Sequence, residues 1–259
     1  MKRINAKLLT ALQTLLLAGA AVCSTGVKAS SEAALPYSFE PDTGNVASQQ
    51  RGARNFMNYC SGCHSMGHLR YARMAADLGI PEDLLKQNLM FTSEKSGDHI
   101  VSAMPAASAG WFGAVPPDLT VETRARGPDW VYNYLLTFYL DETRPLGTNN
   151  LVLPGASMPH VLGELQGWQV KHEEAAPAEG EGEGGHGAHA GPSFKVAVPG
   201  KLDEKEYQKF VADTVNFMVY AAEPGRADRV STGVNVMLFL LLFTVLAYLL
   251  KREFWKDVH

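Results

Sequence analysis

The sequence predicts a mainly α-helical protein, a globular helical domain followed by a single C-terminal transmembrane helix. Three observations carry that expectation. Two segments, 48–59 and 203–224, place apolar residues at helical spacing near the two ends of the globular part. A run of about 21 residues between Arg229 and Lys251 holds no charge. Directly after the first helical segment comes "CSGCH", Cys60 to His64, with its two thiols three residues apart, as one helical turn would place them.

The N-terminus is set aside first. "MKRINAK" is basic, "LLTALQTLLLAGAAV" is apolar, and "VKA" ahead of Ser30 is a small-residue cleavage pattern, so residues 1–29 read as a secretory signal peptide. A mitochondrial presequence would be richer in Arg and amphipathic, so the reading is export in a bacterium. Cys23 leaves with the signal. So do Lys2, Arg3, Lys7 and Lys28, which reduces the 23 Lys and Arg residues to about 19 against 27 Asp and Glu, a net charge of about −8. Nothing in that balance asks for nucleic acid. A chain of 259 residues with 46% hydrophobic content is enough for one core.

The first helix begins around Ser48, a good N-cap, and carries Gly52 and Phe56 on one face. A second helix can cross closely at the glycine while the phenyl ring fills the contact. The partner is 203–224: acids in its first turn, Phe210, Val211, Val215, Met218 and Val219 at helical spacing, and Pro224 after its end. A third helix is expected over "PDWVYNYLLTFYL", 128–140, with Pro128 in its first turn and an aromatic stripe read as core.

The C-x-x-C-H run is the covalent attachment signature of c-type haem. Each thiol adds to a vinyl group as a thioether, and His64 supplies an imidazole nitrogen to the iron. A zinc site would need further ligands, and the exported chain has no third cysteine. A thiol-disulfide enzyme would place a strand before the motif, where this chain places a helix. With its first and last helices crossing, the domain reads as a class I cytochrome c-like fold holding one haem c.

Within the expected transmembrane helix, 229–251, the roughly 21 uncharged residues between Arg229 and Lys251 make about 31 Å of helix, matching a hydrocarbon core of about 30 Å. A buried soluble helix is the alternative. Lys251, Arg252 and Lys256 put the 252–259 tail in the cytoplasm, and Tyr248 and Trp255 suit the interface. The haem domain, 30–228, is then periplasmic on the inner membrane. Within it, 172–192 is dense in Gly, Ala and Glu and too poor in apolar residues to order itself. His172, His186 and His189 there read as solvated.

A haem with two protein ligands is an electron carrier, and an axial methionine raises its potential. The candidates are Met66, Met74, Met90, Met104, Met158 and Met218. Met66 and Met74 lie close to His64 in sequence, and Met218 sits on an apolar helix face. Both Met104 and Met158 precede a proline that biases the methionine toward an extended conformation in a loop. Chain order favours Met158 over Met104 without deciding between them.

"QRGARNFMNYCSGCHSM", "PPDLTVETRARGPDWVYNYLLTFY", "PGASMPHVL" and a terminal "KREFWKD" after the apolar run resemble the cytochrome c1 family, in the family's order and over most of residues 36–256. The resemblance implies Met158 as the axial methionine, metal-bound with His64, and Pro116 and Pro117 packed beside the haem. Of Arg124 and Arg126 it implies Arg126 as partner of a haem propionate, where a plain surface charge is the other reading. It also implies the haem subunit of the bc1 complex, ubiquinol-cytochrome c reductase, which takes one electron from the Rieske iron-sulfur protein and passes it to a cytochrome c. The membrane helix would pack with cytochrome b in a dimeric complex.

Three features depart from the family, one of them the short stretch between "CHSM" and "PPDL". "AASAGWFGAV" stands where many members carry an arginine before the Pro-Pro pair, with Trp111 as the residue to pack there, and the 172–192 insertion is not general. A membrane-anchored cytochrome serving another enzyme, and a haem enzyme or sensor with an open iron, are the competing classes.

Overall fold

The computed structural model describes residues 35–172 and 193–257. The expected signal peptide, 1–29, and the insertion beyond His172 lie outside the described residues. Leu35–Arg229 forms one compact unit, and the residues from Val230 onward form another. In order, the chain folds as α1 (Val46–Tyr59), β1 (Met66–Arg70), α2 (Tyr71–Asp77), α3 (Glu82–Asn88) and β2 (His99–Ile100). A 3-10 turn (Ala106–Ser108) leads into α4 (Ala109–Phe112), followed by α5 (Glu122–Ala125), α6 (Pro128–Leu136), β3 (Phe138–Leu140) and β4 (Thr148–Asn150). Last come α7 (Gly163–Gln166), β5 (Gly167–His172), β6 (Ser193–Pro199), α8 (Glu204–Ala222) and α9 (Arg226–Phe254). Among the described residues the fold is mainly α, with three two-stranded antiparallel ribbons, β1–β2, β3–β4 and β5–β6.

The crossing of α1 and α8 organises the first unit. A Cβ added to Gly52 would stand 2.0 Å from the Asp213 carbonyl oxygen and 2.6 Å from Phe217 Cβ, so only glycine lets the two backbones approach this far. Phe56, Val211, Val215 and Phe217 are fully buried around that point, and the Phe56 and Phe217 rings lie 5.9 Å apart, centroid to centroid. One buried carboxylate ties the crossing. Asp213 accepts from Arg51 Nε at 2.6 Å and Nη2 at 2.8 Å, and from the Ser48 hydroxyl at 2.5 Å. α8 starts where its acids predict: Asp203 accepts from the Glu206 N–H at 2.8 Å, and the Glu206 side chain accepts from the Asp203 N–H at 3.1 Å.

Three sequence expectations shift. The N-cap of α1 is Asn45, whose Oδ1 accepts from the Ser48 N–H at 3.0 Å. Ser48 lies inside the helix because Asp213 offers its hydroxyl a buried partner. The third helix ends at Leu136 rather than 140. Thr137 bonds back to the Asn133 carbonyl through both its N–H, at 3.0 Å, and its hydroxyl, at 2.8 Å, and the next three residues pair with Thr148–Asn150. His172, assigned to the insertion, closes β5 and pairs with Ser193, so the insertion joins two strands of a hairpin.

In the second unit, α9 is long and apolar enough to cross a membrane over Asp228–Phe254. Leu238, Phe239, Leu241, Leu246 and Leu250 are all exposed along it. That much apolar surface is stable only against lipid or protein.

Substituting Gly52→Ala should overpack the α1–α8 crossing and cost about 1–3 kcal/mol. A thermal melt of the detergent-solubilised full chain that matches the wild type would show that the helices do not meet there as described.

Candidate functional site

The end of α1 delivers the thiols. The Cys60 N–H still bonds the Phe56 carbonyl at 2.8 Å, and then Cys63 and His64 both donate N–H bonds to the Cys60 carbonyl, at 3.0 and 2.8 Å. These turns bring Cys60, Cys63 and His64 to one cavity of about 400 Å³, within the range of cofactor sites. Pro116, Pro117, Arg126 and Met158 line the same cavity. The structure therefore brings together all seven residues singled out in the sequence.

His64 is the most constrained of them. Its Nδ1 lies 2.8 Å from the Pro117 carbonyl oxygen, which can only accept, so the proton sits on Nδ1 and the lone pair on Nε2. Burial pulls the imidazole below its ordinary pKa and outweighs the Pro117 bond and the nearby Glu122 and Asp118, which favour the charged form. A neutral ring with its other nitrogen tied to a carbonyl is the form a metal-ligating histidine takes.

The Pro117 carbonyl is itself held in place. The Leu119 N–H donates to the Ser65 carbonyl at 2.8 Å, the Gly67 N–H to Asp118 Oδ2 at 2.6 Å, and the Thr120 N–H to Asp118 Oδ1 at 2.8 Å. The Pro-Pro-Asp-Leu stretch is thus zipped to the chain just after the attachment motif. Burial raises the Asp118 carboxyl, but the bonds from Thr120 and Gly67 outweigh it and hold the group below the ordinary carboxylate value.

α5 and α6 form another wall. Arg126 Nε donates to Glu122 at 2.5 Å, and its guanidinium lies 4.3 Å from the centroid of the Trp130 ring, which stacks on Tyr134 at 5.1 Å. On α6, Trp130, Val131, Tyr134 and Leu135 face the cavity, while Tyr132 and Leu136 on the other side enter the core. The sequence reading assigned the whole aromatic stripe to the core. The i, i+4 recurrence of Trp130 and Tyr134 was the signal that would have separated its two faces. Arg124 stands outside the lining and faces Glu223 at 3.8 Å.

The methionines separate by position. Met158 and Met218 line the cavity, Met218 from the buried face of α8, as its spacing predicted. Met66 and Met74 are fully buried in the core, and Met90 packs against it. Met104 is not among the residues lining the cavity; its N–H bonds the Ser102 hydroxyl at 3.0 Å. Trp111 is 64% exposed and does not line the cavity; its neighbour Phe112 does. Phe112 and Tyr59 were not legible as lining residues from sequence.

The donor set fits a covalently held haem. It comprises two thiols at the attachment spacing, a neutral imidazole with Nε2 unprotonated, a thioether, a largely apolar wall and one cation for an acidic edge. Burial pushes the Cys60 thiol up to about 12, with the Cys63 charge adding to it.

Comparison with known proteins gives a consistent result. The sequence pattern of the Cytochrome C1 family matches residues 39–181 and 202–258. Cytochrome c1 of Allochromatium vinosum is 52% identical over 219 residues, 84% of this chain and 87% of that protein. The ammonia monooxygenase gamma subunit of Nitrosomonas europaea is 43% identical over 219 residues, 84% of this chain and 86% of that protein. The cytochrome b/c1 of Bradyrhizobium diazoefficiens is 24% identical over 241 residues, 81% of this chain and 33% of that protein.

Asp118→Ala should lower stability by about 1 kcal/mol at neutral pH, because the carboxylate is solvent-facing and its bonds are partly screened. A carboxyl held below its unfolded pKa stabilises above that unfolded value and loses its contribution as pH falls through the folded one. The difference in Tm between variant and wild type should therefore shrink on acidification below the carboxylate range. A constant difference across pH would assign the effect to something other than this charge.

Proposed function

The chain belongs to the cytochrome c1 family, and from that premise we propose that it accepts one electron from a Rieske iron-sulfur protein and passes it to a cytochrome c. The family carries covalently attached haem c and forms the haem subunit of the bc1 complex, ubiquinol-cytochrome c reductase. When bound, the haem supplies a one-electron couple. The protein's own residues would hold it: Cys60 and Cys63 through thioethers, His64 and Met158 as the two protein ligands of the iron, with Pro116 and Pro117 packed beside it.

One observation carries the reading. A neutral His64, with Nδ1 committed to Pro117, shares an apolar cavity with the thioether of Met158. Two protein ligands leave no open position, which suits a carrier better than an oxygen-handling site. Arg126 serves a propionate in this reading: Glu122 engages its Nε, and the guanidinium retains further donors at its Nη atoms.

The assembly follows from the same premise. The name of the Bradyrhizobium relative couples the two cytochromes, and α9 supplies the helix that would pack with cytochrome b in the membrane of a dimeric complex. Lys251, Arg252 and Lys256 put its C-terminal end in the cytoplasm and the haem domain in the periplasm of a bacterium. The acidic net charge steers a basic acceptor.

Met158→Leu should abolish the methionine–iron charge-transfer absorption of the ferric protein, lower its potential and open the ferrous form to carbon monoxide; Met104→Leu should do none of these. Carbon monoxide binding by the wild type would remove the carrier reading in favour of an open-iron enzyme or sensor.

Purification from native membranes should bring cytochrome b and the Rieske protein with this chain. Recovery of the chain without either would defeat the assignment to the complex.

A further inference from the structure

The loop carrying Met158 has no regular structure between β4 and α7, yet its first half is held by three side chains that bond backbone groups of Val152, Leu153 and Gly155. Asn150 ends β4 and is fully buried. Its Oδ1 accepts from the Val152 N–H at 2.9 Å and the Leu153 N–H at 3.1 Å, while its Nδ2 donates to the Tyr134 carbonyl at 2.7 Å. The start of the loop is thereby tied to α6, the wall of the cavity that carries Tyr134.

A second clamp acts three residues before Met158. The Gly155 N–H donates to Asn149 Oδ1 at 2.8 Å, and the Gly155 carbonyl accepts from Arg144 Nη2 at 2.9 Å. Gly155 has φ +80, and a Cβ there would stand 3.6 Å from the Arg144 guanidinium, so the arginine packs directly over a left-handed turn. Asn149 is in turn fixed by donating Nδ2 to Asp141 Oδ2 at 2.8 Å, in the turn that also presents Arg144. Both amides and the guanidinium stand in for strand or helix partners at Val152, Leu153 and Gly155.

We propose that Asn149, Asn150 and Arg144 are positioning residues for the Met158 sulfur: they set the path of the loop, and so govern whether the thioether stays on the iron. The proposal rests on Met158 being the axial ligand. The iron–thioether bond competes with a detached loop, so it persists only while the protein holds the loop in place. Groups that orient a metal ligand without touching the metal change its affinity by roughly 10-fold to 100-fold when removed. A merely structural role would lower the melting temperature and leave the coordination alone.

The test uses the full-length protein in its native complex, with Asn149→Ala, Asn150→Ala, Arg144→Ala and Arg144→Lys compared with Met158→Leu. The readouts are the methionine–iron charge-transfer band, the reduction potential, the carbon monoxide-reactive fraction and the covalently retained haem. The three alanine variants should keep haem covalently bound, lose part or all of the band, drop in potential and raise the carbon monoxide-reactive fraction roughly tenfold. Arg144→Lys, which retains a donor for the Gly155 carbonyl, should stay near the wild type. Should Asn150→Ala fail to accumulate, Arg144→Ala and Asn149→Ala decide, since Asn149 and Arg144 are not fully buried. If these variants lower Tm with band, potential and carbon monoxide reactivity unchanged, the positioning role is wrong although Met158 remains the ligand. If Met158→Leu itself keeps the band, the ligand assignment fails first and the proposal with it.

Discussion

The close approach of α1 and α8 at Gly52 fixes where the haem-attachment motif can be. α1 ends at Tyr59, so once its axis is pinned by Asp213, Arg51 and Ser48 the turns carrying Cys60, Cys63 and His64 have one place to go. The buried carboxylate is a demanding anchor. Asp213 is buried while Arg51 is partly exposed, and the Ser48 hydroxyl shares the carboxylate, so three side chains from the two helices lock the crossing together. A rigid origin matters here because a ligand displaced by a fraction of an ångström changes the bond it makes.

From that origin the cavity is built by segments far apart in the chain, each brought in by polar contacts rather than by long secondary structure. The Pro-Pro-Asp-Leu stretch is fastened to residues 65–67 by backbone bonds and by the Asp118 carboxylate, which places the Pro117 carbonyl on His64. Opposing demands meet at that histidine. Burial keeps it neutral, as a ligand must be, while the carbonyl selects the tautomer that leaves Nε2 available. α6 contributes its wall by ending early. Four more helical residues would have denied β4 its partner strand, and β4 carries the two asparagines that shape the Met158 loop.

The long apolar helix α9 obeys a simpler logic. Its uncharged run needs an apolar surround whatever the first unit does, so its length and composition alone decide its character. The attachment motif is equally local: two thiols and a histidine within five residues define the cofactor because covalent chemistry needs that spacing. The Gly52 and Phe56 pair, and the acids and apolar face of α8, were legible for the same reason: a helix exposes its pattern at 3.6 residues per turn. Short ribbons such as β3–β4 were not, since strands of three residues leave no period to read.

The sequence by itself therefore determined the helical class, the crossing pair, the haem and the apolar C-terminal helix, all properties written within a few turns of chain. Tertiary structure decided the rest. It moved the α1 cap from Ser48 to Asn45, because a buried Asp213 claimed the serine hydroxyl. It turned one face of the aromatic helix toward the cavity and placed Met158, and not Met104, among the residues that line it with His64. Both methionines have the same neighbour in sequence. What distinguishes them is where each loop is fastened: Asn150 ties the start of the Met158 loop to the Tyr134 carbonyl of α6, a wall of the cavity, and a bond between two elements leaves no period in the sequence to read.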